Sequence, residues 1–172
     1  MGEVLQLRPS GMFRGALFSP DRVYRYTLTR VWDAEKARVC FILLNPSTAN
    51  EKQDDPTIRH CIAFAKSWGN GGIEIVNLFA YRSTNPNVLR SVPDPFGPLN
   101  LEHILAVTAA TPLIICGWGR KPPFEHDKHV LGLLRARKRP VYALKVNLSD
   151  GSPSHPLYLR GNLTPQPYGG GR

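Results

Sequence analysis

The apolar run Phe41-Ile42-Leu43-Leu44 breaks at once into Asn45-Pro46-Ser47-Thr48-Ala49-Asn50, and no other stretch constrains the chain as much. Four consecutive large apolar side chains predict a strand buried on both faces. The proline that follows ends it, because proline brings no donor to a strand ladder. A polar loop therefore starts at the carboxyl end of a central strand, where ligands bind in open parallel sheets because the exit loops of neighbouring strands converge there. Asn, Pro and Ser are also ordinary turn residues, so a plain strand-to-helix turn is the competing reading.

The remaining pattern supplies neighbours for that strand. Residues 24–32 alternate, with Tyr24, Tyr26 and Leu28 on one side and Arg25, Thr27 and Thr29 on the other. That predicts a half-buried strand, whose polar exit at 33–37 suits a hairpin leading antiparallel into Val39–Leu44. Asp55-Pro56 announces a helix, since Asp55 can accept the free N–H groups of the first turn while Pro56 takes the first helical position. Ile58, Cys61, Ile62, Ala65 and Trp68 form its apolar face, and Gly69-Asn70-Gly71-Gly72 closes it. Ile73–Val76 is the next strand and runs into Asn77-Leu78-Phe79-Ala80-Tyr81-Arg82. The proline-rich stretch 85–100 is expected to be a long surface connection. A helix carrying Leu101, Ile104, Leu105 and Val107 follows, then the strand Leu113–Cys116 with its exit Gly117-Trp118-Gly119-Arg120. Another helix, carrying Val130, Leu131, Leu133 and Leu134, ends in the basic run 135–139. The last core strand, Val141–Leu144, leaves through a polar loop to Ser154-His155-Pro156.

Right-handed crossovers between these alternating elements predict a single three-layer α/β domain over residues 1–172. Its sheet is expected to be mostly parallel and four-stranded, with an additional antiparallel N-terminal strand and loose termini at 1–9 and 165–172. The loops carrying Asn45, Asn77, Trp118 and His155 then leave one edge of the sheet.

A formal charge of +9 favours a polyanionic partner such as nucleic acid or a phosphorylated ligand, although a merely soluble cationic surface has the same composition. Cys40, Cys61 and Cys116 are odd in number and sit in apolar segments, which suits buried small hydrophobes rather than disulfides or metal ligands. With no apolar stretch long enough for a signal peptide or a membrane span, the expectation is a cytoplasmic monomer with no membrane partner and no cofactor.

Six segments together carry a family resemblance: Tyr24-Arg25-Tyr26, Leu43-Leu44-Asn45-Pro46-Ser47, Asp54-Asp55-Pro56-Thr57, Asn77-Leu78-Phe79-Ala80-Tyr81-Arg82, Cys116-Gly117-Trp118-Gly119 and His155-Pro156-Leu157-Tyr158-Leu159. Over almost its whole length the chain resembles the bacterial and phage family of unknown function DUF1643. More distantly it resembles α/β uracil-DNA glycosylases, which have a four-stranded parallel sheet. Leu44-Asn45-Pro46-Ser47 is similar to their first motif, whose asparagine positions the attacking water. Asn77 with Arg82 is similar to the motif that reads a flipped base, and Ser154-His155-Pro156-Leu157 to the motif that grips the strand and a base oxygen. The chain departs from that pattern in lacking the water-activating aspartate, the first-motif glycines and the serine after the last proline. Its three cysteines cannot supply a four-cysteine iron–sulfur cluster.

The resemblance implies a DNA glycosylase-like hydrolase acting on a damaged or modified base. A silent nucleic-acid-binding module and an enzyme acting on a free nucleotide are the alternatives. Such chemistry needs a base outside the stack, a placed water and stabilisation of the departing base. Asn45 can orient water, Asp55 can offer a carboxylate or merely cap its helix, and His155 can donate to a base oxygen or a phosphate. Pro46 and Ser47 border the same loop, and Asn77 has the donor and acceptor that reading a base edge requires. Phe79, Tyr81 and Trp118 can stack on a base or belong to the core, and Arg82 and Arg120 can contact phosphates.

Overall fold

The computed structural model describes residues 11–170 and the backbone of Gln6–Leu7. The strands are β1 (Gln6–Leu7), β2 (Phe13–Phe18), β3 (Arg25–Val31), β4 (Arg38–Leu43), β5 (Gly72–Asn77), β6 (Leu113–Cys116), β7 (Tyr142–Ala143) and β8 (Gln166–Pro167). The helices are α1 (Pro56–Ser67), α2 (Asn100–Ala110) and α3 (His126–Ala136). All the strands join one sheet in the order β1-β2-β3-β5-β4-β6-β7-β8.

β4 lies inside the sheet because both of its faces are apolar. Val39, Phe41 and Leu43 meet Ile58, Cys61, Phe64 and Ala65 of α1 on one side. Cys40 and Ile42 meet Ile104 of α2 and Val130, Leu131 and Leu134 of α3 on the other. A strand whose residues from Val39 to Leu43 are all apolar can be satisfied only between two layers of helix. All three cysteines are buried as free thiols, and burial raises the pKa of each.

The sheet is mixed, which corrects the mostly parallel expectation. β5, β4, β6 and β7 pair in parallel, while β1–β2, β2–β3, β3–β5 and β7–β8 pair antiparallel. β2, which the sequence reading passed over, forms a hairpin with β3. The expected hairpin from β3 into β4 is also overturned, since β3 pairs with β5 and β4 enters on the far side of β5. Two glycines permit this crossing. A Cβ on Gly71 would stand 2.0 Å from the Asp33 carbonyl oxygen, and one on Gly72 would stand 2.7 Å from that of Arg30. Trp32 and Asp33 instead donate their N–H groups to the Gly71 carbonyl as the 33–37 loop passes over.

The placement of β3 inside the sheet also corrects its half-buried reading, because Arg25, Thr29 and Arg30 are all buried. The 85–100 connection holds a 3-10 turn at Pro86–Arg90 and inserts Leu89 into the core, so it is not wholly superficial. The C-terminal segment expected to be loose adds β8 to the sheet edge and buries Tyr168, whereas most of residues 1–9 lie outside the described residues. The basic run 135–139 serves the helix end. Arg137 donates to the Leu133 carbonyl, and Arg139 donates to the carbonyls of Thr108 and Thr111. No helix among the described residues is long and apolar enough to cross a membrane.

Phe79 lies wholly inside this core, its ring 5.3 Å from those of Phe96 and His126. Burial, reinforced by neighbouring His129, pushes the His126 pKa down to about 4, against a hydrogen bond to the Leu78 backbone. A folded pKa below the unfolded value means that the unfolded chain binds the extra proton first. The stability from neutral His126 is therefore complete above the unfolded pKa and disappears as pH falls toward 4. Urea unfolding should show the wild type losing about 1–2 kcal/mol more than His126→Phe between pH 7 and pH 4.5, the range reflecting partial exposure of the ring.

Candidate active site

The exit loops are stitched together by backbone hydrogen bonds that continue the strand ladder. Leu78 and Phe79 N–H groups donate to Leu43 and Leu44 carbonyls, Gly117 donates to Ile42, and Ser83 donates to Pro46. Between them opens a cleft of about 490 Å³. Of the residues singled out from sequence, Asn45, Pro46, Ser47, Asp55, Asn77, Trp118, Arg120 and His155 line it.

Asn45 comes just after β4, with Leu44 between, and is held by its amide nitrogen, which donates to the Ser83 carbonyl at 2.9 Å and lies 3.2 and 3.5 Å from the Pro46 and Tyr81 carbonyls. Three surrounding acceptors fix the amide orientation, since a flip would set oxygen against oxygen. The Asn45 Oδ1 is left with no protein donor among the described residues. Asn77 shows the opposite polarity. Its Oδ1 accepts from the Arg25 guanidinium at 3.4 Å, so the acceptor is occupied and the amide N–H groups are what it has to offer a ligand. Asp55 caps α1, its Oδ1 accepting from the Ile58 N–H at 2.9 Å. Of the two roles open to it, the structure displays the cap.

His155 stands at the start of a 3-10 turn, Pro156–Tyr158, and its Nδ1 accepts from the Leu157 N–H at 3.3 Å. Burial holds its pKa below the ordinary value, helped by His60 and opposed by Asp55, so the ring is neutral near pH 7. With Nδ1 accepting, the neutral ring carries its proton on Nε2 and is a donor there. The β6 exit loop approaches His155 through glycine. A Cβ on Gly119 would lie 2.9 Å from the His155 Cβ, and the Gly119 φ of +83° is itself unfavourable for any other residue. Gly119 donates to the Pro153 carbonyl at 2.8 Å, while Asn147 donates to the Gly119 carbonyl at 3.0 Å and accepts from Ser154 Oγ at 2.7 Å. Gly119→Ala is expected to lower stability by about 1–2 kcal/mol and to displace the imidazole. A changed His155 titration, followed by NMR, is the observation that checks it.

Four of the candidate residues offer the cleft no free side chain. Phe79 is core, Tyr81 sets its ring edge-on against Tyr24 at 6.2 Å, and Arg82 lies 4.8 Å above the Phe18 ring and donates to the Arg22 carbonyl; none of the three lines the cleft. Trp118 does border it but is only 1% exposed and stands edge-on to Tyr168, which leaves no free face for stacking. The open aromatic is Tyr158, 82% exposed on the cleft rim with its ring 5.9 Å from His155. Sequence reasoning passed over Tyr158, as it did Arg25, Lys145 and Asn147. Tyr158 shares a segment with His155 but has no apolar periodicity to mark it, and Arg25 was assigned to a solvent face that does not exist.

Arg25 forms part of the cleft wall although it is just 2% exposed. Burial lowers its pKa to about 10, against the attraction of Asp55. Arg120 and Lys145 bring further positive charge to the rim, so cations outnumber the lone lining carboxylate, Asp55. Among the described residues no three His, Cys, Asp or Glu side chains gather as a metal-binding set.

Fold and cleft together define an α/β protein with a basic cleft built from the exit loops of its parallel strands. Residues 25–157 match the family of proteins of unknown function DUF1643, and the chain belongs to that family. The matched span starts at Arg25 and contains every site residue named above except Tyr158, which directly follows it. No match was found among curated proteins or among solved structures.

Proposed function

We propose that the cleft hydrolyses the N-glycosidic bond of a damaged or modified base in nucleic acid. The observation that carries this reading is the Asn45 amide, anchored through its nitrogen so that Oδ1 faces no protein donor at the end of a doubly buried strand. The finer fold likeness belongs to the same proposal. Asn45 lies just past the first strand of the parallel group and His155 comes after the last, a placement compatible with a uracil-DNA-glycosylase-like arrangement.

In this mechanism Asn45 Oδ1 accepts a hydrogen bond from a water and aims its oxygen at the sugar carbon. An asparagine cannot act as a strong base, so the glycosidic bond is already breaking when the water arrives. The C–N bond cleaves, the base departs as an anion with the electron pair, the water oxygen bonds to the sugar carbon and loses one proton to solvent, and the released base takes up a proton from solvent. Asn77 N–H and His155 Nε2–H donate to the oxygen on which the base gathers charge. Tyr158 provides a face for stacking, and Arg120 and Lys145 meet phosphates at the rim.

The test is incubation with duplexes and single strands carrying uracil and other altered bases, then alkali to break strands at abasic sites. Strand breaks with one altered base support the proposal. Salt-sensitive binding without breaks identifies a silent binding module, and base release from mononucleotides alone identifies a nucleotide hydrolase.

A further inference from the structure

Two arginines of β3 turn toward the 49–55 loop, and their partners differ. Arg30 is wholly buried. Its Nε meets Asp54 Oδ1 at 2.8 Å, and its remaining nitrogens donate to the carbonyls of Gly15, Thr29, Asn50 and Gln53. Arg25 is almost as deeply buried and has no such carboxylate. It donates to the Ala49 carbonyl at 3.0 Å and to Asn77 Oδ1 at 3.4 Å, and its Nε finds no acceptor. Among the described residues no Asp or Glu lies within ion-pair distance of it. Its carboxylate neighbour in the cleft wall, Asp55, attracts it only from beyond ion-pair distance, so a guanidinium taken out of water with one good hydrogen bond is short of acceptors, and it borders an open cleft from which one can come.

We propose that Arg25 forms an anion subsite in the wall of the cleft, one that takes an oxyanion of the ligand, either a phosphate oxygen of a nucleotide or the charged oxygen of a departing base. The inference rests on the cleft being a nucleotide-type site and not on base excision. Its test reads binding alone, so absence of turnover leaves it standing. Asn77 orients the subsite, since its Oδ1 faces the guanidinium while its N–H groups remain free for the ligand. Arg120 and Lys145 widen the positive field at the mouth without the burial that gives Arg25 its strength.

The experiment is calorimetric titration of the wild type, Arg25→Gln and Asn77→Asp with inorganic phosphate, deoxyuridine monophosphate, deoxyuridine and uracil, with the melting temperature of each protein recorded. Asn77→Asp keeps the guanidinium but installs a carboxylate at the 3.4 Å contact. It should therefore melt higher than the wild type and bind phosphate at least tenfold more weakly. It also keeps the test open should Arg25→Gln fail to fold. Phosphate and the monophosphate binding where the nucleoside does not assigns the oxyanion to phosphate. Uracil and deoxyuridine binding where phosphate does not, with at least a tenfold loss in folded Arg25→Gln, assigns it to the base. The inference is overturned if none of the four probes binds the wild type, or if the probe that binds it binds the folded variants within twofold as tightly.

Discussion

Asp54→Asn is expected to cost the fold about 3 kcal/mol or more, although it changes a single atom of a half-buried side chain. Asp54 Oδ1 faces two cations, Arg30 Nε at 2.8 Å and Arg14 at 3.1 Å, and Arg30 is completely buried. Removing the carboxylate charge leaves Arg30 inside the protein with carbonyl partners only, which is far worse than never having buried a charge. The paired replacement Arg30→Met with Asp54→Leu should consequently destabilise less than Asp54→Asn alone. Urea unfolding of the three proteins decides it, and a loss under about 1 kcal/mol for Asp54→Asn would show the pair to be effectively solvated. The effect reaches the cleft because Arg30 ties down the carbonyls of Asn50 and Gln53, between the two loop residues Asn45 and Asp55.

Asn45→Ala is expected to lower single-turnover base release by about a hundredfold or more while binding to nucleic acid survives. The side chain makes one good protein hydrogen bond, to the Ser83 carbonyl, so truncation should cost only about 1 kcal/mol of stability. The cationic rim residues Arg120 and Lys145 are on other loops and are untouched by the change. A drop in affinity equal to the drop in rate would instead make Asn45 a binding residue. An unchanged rate in a folded variant would return it to the role of a turn residue.

How much of this could be read from sequence depends on whether the signal was local. The doubly buried β4, the cap at Asp55 and the helices α1 to α3 follow from runs of neighbouring residues, and the structure has them. The order of strands is not local. Whether β3 pairs with β4 or with β5 turns on two glycines that read, from sequence, only as the end of a helix. That single choice also decides the fate of Arg25. A strand at the sheet edge would have shown the arginine to solvent, and a strand inside the sheet buries it beside the cleft. The aromatic residues divide in the same way. Phe79, Tyr81 and Trp118 stand next to strand ends in sequence, but the fold turns their rings toward the interior or toward Tyr24, and Tyr158 is left open on a short turn. The polar residues were legible from their neighbours: Asn45 stands just past β4, Asn77 is the last residue of β5, and His155 precedes Pro156 at the start of a turn.

The claim that the cleft hydrolyses an N-glycosidic bond is tested most directly by running the altered-base reactions in water enriched in oxygen-18 and weighing both products. Attack of water on the sugar carbon, as the placement of Asn45 implies, puts the heavy oxygen on the abasic sugar and leaves the released base at its natural mass. Heavy oxygen in a base that stays attached, or no released base from any substrate, would contradict the account.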